Sequence, residues 1–163
     1  MKCQLLIGKM FDVSEPDDFR IHTYGVCLEA INRLNLVFDR SLKDQVGISQ
    51  SWFEALLRVE RSGGFMTMGE LADQIALTSG GVTRLVDRLA GEELVERQAC
   101  ETDRRVHYVA ITPQGRAVLT EAIDVHLADL STELIDRMSE QERTTLVRVM
   151  ERVREPRSSD APA

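Results

Sequence analysis

At 163 residues, 43% hydrophobic and 29% charged, the chain has the size and balance of one soluble domain, or of one domain with long arms. A chain of this length buries about 70% of its extended surface on folding, and its three cysteines include no close pair, so no disulfide framework is expected. The run Leu5-Leu6-Ile7 is too short for a signal peptide or a membrane span, so the expected address is the cytoplasm and no membrane partner is expected.

The net charge of −7 would argue against nucleic acid if it were evenly spread. It is not. The acidic excess lies mainly in residues 117–163, whereas residues 78–116 are balanced and their cations are all arginine: Arg84, Arg88, Arg97, Arg104, Arg105 and Arg116. Phosphate contact depends on where a few arginines stand more than on total charge.

Ser14, followed by Pro16, reads as a helix start. Ile21, Tyr24, Leu28, Ile31, Asn35, Phe38 and Leu42 then recur at alternating steps of three and four, which predicts a long amphipathic helix with a narrow apolar seam. Gly47 breaks it. Ser49 or Ser51 caps a second helix with Trp52, Phe53, Leu56, Leu57 and Val59 on its apolar face, and Ser62-Gly63-Gly64 ends that helix. Thr67 and Glu70 have capping-box spacing before a helix predicted over Glu70–Ile75, with Leu71, Ala72, Ile75 and Leu77 inward.

After a break at residues 76–78, a helix is predicted over Ser79–Ala90. Val82, Leu85, Val86 and Leu89 share one face, and Ser79, Gly80, Thr83, Arg84, Asp87 and Arg88 the other. Two short strands, Val95–Ala99 and Val106–Ile111, flank the loop 100–105. Thr112-Pro113 starts another helix, striped by Leu119, Ile123, Leu127, Leu130, Leu134 and Met138. A second capping box, Ser139 with Glu142, opens a last helix carrying Leu146, Val149, Met150 and Val153. Residues 155–163, rich in Pro, Ser and Ala, are expected to be disordered.

The expected fold is mainly α: a winged helix-turn-helix with a two-stranded β-wing, flanked by long N- and C-terminal dimerisation helices. The expected division is 1–48 for the N-terminal arm and dimerisation helix, 49–112 for the DNA-binding region, and 113–163 for the C-terminal helices and tail. A helix that enters the major groove beside a wing that reaches the backbone or minor groove is a DNA reader.

Over about residues 19–153 the order of elements resembles the MarR (multiple antibiotic resistance regulator) family of bacterial transcription regulators. The resemblance is carried by Glu70-Leu71-Ala72, Val82 through Leu89, Leu94-Val95-Glu96-Arg97, the wing sequence Asp103-Arg104-Arg105, and Ile111-Thr112-Pro113-Gln114-Gly115. It implies a homodimer whose N- and C-terminal helices form the interface. It also implies binding to a pseudo-palindromic double-stranded DNA operator, repression of nearby genes, and release by a small phenolic or lipophilic effector or by an oxidant. Two positions depart from the family pattern. Glu93 stands where glycine is usual, so the second helix of the motif is expected to end differently, at Gly91; Val106 follows the wing arginine where small residues are common, which would stiffen the wing tip.

Arg84, on the solvent face of the second motif helix, is suited to bridging guanine O6 and N7, against the plainer reading of a surface ion pair with Asp87. Thr83 is a short donor for phosphates or bases; Ser79 either does the same or caps the helix. Gly80 and Arg88 share that face. Arg105 suits a narrow, negative minor groove, with Asp103 holding it by a carboxylate–guanidinium bond and Arg104 turned the other way.

His22, Tyr24 and Trp52 are candidates for lining an effector crevice, with Trp52 as plain core the alternative. Cys27 and Cys100 are candidate redox residues; some relatives sense peroxide through a thiol near Cys27, but this chain has Trp52 and Phe53 where those sensors have tyrosines. His22, His107 and His126 show no metal-ligand spacing, and zinc-sensing relatives carry a histidine pair where this chain has His126 alone. No cofactor is expected, and no nucleophile elbow, phosphate loop or histidine–carboxylate signature points to an enzyme. The readings left beside a DNA-binding repressor are a redox-sensing one and a small-molecule-binding helical dimer without DNA binding.

Overall fold

The computed structural model describes residues 18–75, 78–99 and 107–155. The expected helix start at Ser14 and the tail beyond residue 155 lie outside them. The elements are α1 (Phe19–Gln45), α2 (Gln50–Arg61), β1 (Phe65–Thr67), α3 (Met68–Ile75), α4 (Ser79–Gly91), β2 (Val95–Ala99), β3 (His107–Ile111), α5 (Pro113–Glu133), a 3-10 turn (Ile135–Arg137) and α6 (Glu140–Arg154). Two units divide the chain, residues 1–36 and 37–163. In the first, the Asp18 carboxylate accepts from the Arg20 backbone N–H at the start of α1, and Phe19, Ile21, Tyr24, Leu28 and Ile31 are all exposed.

The second unit contains the core. Leu42, Phe53, Leu56 and Val59 meet Leu71, Val82, Val86 and Leu89, with Val109, Ile111 and Leu119 closing the cluster. Of the expected inward faces, Phe53, Leu56 and Val59 of α2, Leu71 of α3 and Val82, Leu85, Val86 and Leu89 of α4 are buried. Trp52, Leu57, Ala72 and Ile75 are half-buried against them, and Leu77 lies outside the described residues. Asp39 accepts from the Gln50 backbone N–H at 3.1 Å and pairs with Lys43, which ties the end of α1 to the start of α2. Ser49, rather than Ser51, is the α2 cap. Both capping boxes form: Thr67 with Glu70 and Ser139 with Glu142 each exchange backbone and side-chain hydrogen bonds. These bonds hold both carboxyl groups below their ordinary range.

The expected two-stranded wing forms, β2 with β3, and is part of a three-stranded antiparallel sheet in the order β1-β3-β2. The third strand is Phe65–Thr67, which pairs Met66 with Val109, while β2 pairs Arg97 with Val109 from the other side. Three residues show too little alternation to announce a strand; β3 recruits them because its second edge would otherwise be unpaired beside the core. The apolar stripe expected to continue along α5 also stops short. The helix ends at Glu133, so Leu134 caps it and Met138 follows the 3-10 turn.

The start of α5 is clasped to the turn after α4. The Thr112 hydroxyl donates to the Glu93 carbonyl at 2.7 Å, the Thr112 N–H donates to the Leu94 carbonyl at 3.1 Å, and Gln114 donates to the Glu92 carbonyl. Gly115 lies so close beneath that a Cβ there would run into the Leu94 carbonyl oxygen and the Ile111 side chain. Only glycine permits this approach. Gly115→Ala is therefore expected to destabilise the fold by about 1–3 kcal/mol or more. Chemical denaturation checks this; an unchanged midpoint would contradict the packing.

His126 on α5 sits between Phe38 and Phe53, each ring centroid 4.8 Å away. Burial lowers its pKa below the ordinary 6.5, with Glu54 and Asp129 acting in the opposite sense. The unfolded chain thus takes up this proton first. Stability should be full above about pH 6.5 and fall as the pH drops through that value towards the folded pKa. His126→Phe, which keeps an aromatic ring among the phenyl groups, is expected to flatten the stability profile between pH 7 and 5.5. A profile as steep as that of the unaltered protein would assign the acid sensitivity elsewhere.

Candidate nucleic-acid interface

α3 and α4 form the helix-turn-helix. Thr78 caps α4 by accepting from the Gly81 backbone N–H at 3.2 Å, so Ser79 is its first residue and not its cap. With Val82, Leu85, Val86 and Leu89 buried, Gly80, Thr83, Arg84, Asp87 and Arg88 are exposed on the outer face. Two arginines one turn apart, with a hydroxyl beside them, form a surface able to donate hydrogen bonds to phosphates or base edges. Among the described residues no carboxylate pairs with Arg84. Asp87, its expected surface partner, pairs instead with Arg97 of β2 at 2.7 Å.

The same Arg97 guanidinium donates to the Thr83 backbone carbonyl at 3.2 Å. This bridge between strand and helix was not anticipated from the sequence, although opposite charges on two adjoining elements were the available signal. β2 and β3 run outward from a buried base: Val95 and Val109 to Ile111 are buried, whereas Glu96 through Ala99 and His107 are exposed. Cys100, Asp103, Arg104, Arg105 and Val106 fall between the two strands in sequence and lie outside the described residues.

α4 ends at Gly91, as expected, through a Schellman turn. The Glu93 N–H donates to the Ala90 carbonyl and the Leu94 N–H to the Leu89 carbonyl, with Leu89 and Leu94 both buried. This geometry places Glu93 at φ +59°, in the left-handed region that glycine occupies without cost.

The other candidates lie elsewhere. His22 and Tyr24 are exposed on α1 in the first unit, and Cys27 is half-buried there. Trp52 is half-buried on α2 against the core of the second. An open groove beside α6, lined by Met138, Leu146 and Val149 among others, includes none of these residues. Among the described residues no cluster of His, Cys, Asp and Glu is arranged to hold a metal ion, and no helix is long and apolar enough to cross a membrane.

A helix-turn-helix with its second helix exposed beside a β-hairpin defines the winged-helix class of transcription regulator. Comparison with known proteins sharpens this. The model of the MarR family matches residues 46–106. The chain is 34% identical over 99 residues to the HTH-type transcriptional regulator MhqR of Bacillus subtilis (strain 168), covering 61% of this chain and 68% of that one. Among solved structures it is similar to Sco3205, a MarR family transcriptional regulator from Streptomyces coelicolor in complex with DNA. That match has a TM-score of 0.77 and 25% identity, over 86% of this chain and 93% of the other. A mutant MarR from E. coli complexed with operator DNA matches with a TM-score of 0.66 and 27% identity, over 78% and 92%. The chain belongs to the MarR family of transcription regulators, which are not enzymes.

Because Glu93 takes a conformation that costs a side-chain-bearing residue about 1–2 kcal/mol, Glu93→Gly should relieve it. The added freedom of the unfolded chain offsets part of that gain, leaving an expected stabilisation of about 0.5–1 kcal/mol. Thermal unfolding at constant pH provides the measurement; a lower midpoint would show that the turn does not strain Glu93.

Proposed function

We propose that the protein is a homodimeric, sequence-specific repressor that binds a pseudo-palindromic operator near the genes it controls and is released by a small phenolic or lipophilic effector. The observation that carries this reading is the outer face of α4, where Thr83, Arg84 and Arg88 stand exposed beside the β2–β3 hairpin. Similar folds solved on DNA support it. Arg84 reads a base edge, while Ser79, Gly80, Thr83 and Arg88 hold the helix in the major groove. Arg105 enters the adjoining minor groove with Asp103 steadying it and Arg104 turned the other way. With one reading head per protomer, half-sites lie about one helical turn, roughly 34–36 Å, apart.

Dimerisation is supported by exposed apolar side chains. Phe19, Tyr24 and Ile31 near one end of the chain and Val147, Met150 and Val153 near the other are all exposed. Removing apolar surface from water contributes about 25 cal/mol per Å², so seams of this length favour a second copy. Repression by a dimer of this kind acts in the cytoplasm, where the operator is. Effector release requires a ligand that binds the DNA-free arrangement more tightly than the DNA-bound one.

Arg84 and Arg105 have different parts in this reading, and their variants should differ in kind. Arg105→Ala is expected to weaken operator binding by about 1–3 kcal/mol on every sequence and to flatten its salt dependence. Arg84→Ala should cost discrimination between operator variants. Binding to a panel of single-base operator variants at two salt concentrations checks both. Uniform loss for Arg84→Ala would reassign it to the phosphates, and unchanged affinity and slope for Arg105→Ala would remove its groove contact.

A further inference from the structure

The reading face of α4 carries an acid as well as two arginines. Asp87, more than half exposed, stands one turn from Thr83 on the surface that would approach phosphate. An unpaired carboxylate there would repel DNA, and it is not unpaired. One terminal nitrogen of Arg97 stands 2.7 Å from the Asp87 carboxylate as an ion pair and donates to the Thr83 backbone carbonyl at 3.2 Å, so the guanidinium spans one turn of the helix. Arg97 is borne by β2, opposite Val109 in the central strand of the sheet.

We infer that Arg97 is a positioning residue: it fixes the rotation of the reading helix against the wing strand and neutralises Asp87, so that both DNA-facing elements present themselves as one rigid piece. The inference rests on the DNA-reading role proposed above. Partly exposed ion pairs add little to global stability, so the pair's function lies in geometry and local charge. The Thr83 bond strengthens this assignment, because a backbone carbonyl inside a helix already accepts an intrahelical bond and gains a second, lateral one from the strand. Arginine is suited to the task, since a planar guanidinium holds two acceptors in a fixed relation with little loss of freedom.

The test uses the full chain and a duplex obtained by in vitro selection of the unaltered protein on a random-sequence library. Arg97→Ala should reduce binding to that duplex by about threefold to thirtyfold with little change in melting temperature, while Arg97→Lys, which restores the charge without the planar donor geometry, recovers only part of the loss. In an Asp87→Ala background the effect of Arg97→Ala should shrink by about threefold or more, as expected for residues acting through each other. An equal loss in both backgrounds, accompanied by a salt slope shallower by about one, would make Arg97 a phosphate contact and overturn the inference. Amide hydrogen exchange in the free protein tests the clamp without DNA. Arg97→Ala should speed exchange in α4 and β2, and unchanged exchange would contradict it. Failure of the library to enrich any sequence would count against the DNA-reading proposal, with hydrogen exchange still deciding the clamp.

Discussion

The contact between Gly115 and the Leu94 carbonyl is the constraint on which the second unit depends. Three elements meet there: the end of the reading helix, the first residue before the wing strand and the first turn of α5. Thr112 closes the junction by bonding two successive carbonyls of the turn, and the Schellman geometry at Glu93 turns those carbonyls towards it. Without the close approach, α5 would stand off by the width of a methyl group. The buried contacts of Ile111 and Leu119 would then open with it.

The electrostatics of the interface are local. A chain with a net charge of −7 presents Arg84 and Arg88 on the exposed face of α4, and the one acid on that face is tied to the wing strand by Arg97. The Debye length at physiological salt is about 8 Å, so exposed charges farther from that face than this are largely screened. Charge pairing at Asp87 thereby serves orientation and removes a repulsion at once, which total charge does not reveal.

Much of this architecture is legible in the amino-acid order because period and cap agree. Val82, Leu85, Val86 and Leu89 repeat with the helical period, Thr67 with Glu70 and Ser139 with Glu142 mark helix starts, and Gly47 and Gly63 mark stops; each falls where the structure has it. What escaped depends on partners distant in sequence. Phe65–Thr67 becomes a strand only because β3 lies beside it, and Arg97 acquires its part only when β2 folds back on α4. Thr78 took the cap from Ser79 because both are good capping residues and one step of helix phase separates them. Gly115 was visible as part of a family signature, but the carbonyl that requires it is not adjacent in the chain.

In the proposed assembly, two copies of the chain, joined through the apolar seams at its two ends, place two reading helices on one operator. Sedimentation equilibrium at micromolar concentration without DNA, on the intact chain and on one lacking residues 139–163, tests it most directly. The intact protein is expected to sediment as a species of twice the 18.4 kDa chain mass. The truncated form is expected to dissociate and to bind a full palindrome more weakly, although every reading residue remains. An intact chain that sediments as a monomer, or a monomeric truncation that binds the palindrome as tightly as the whole protein, would contradict it.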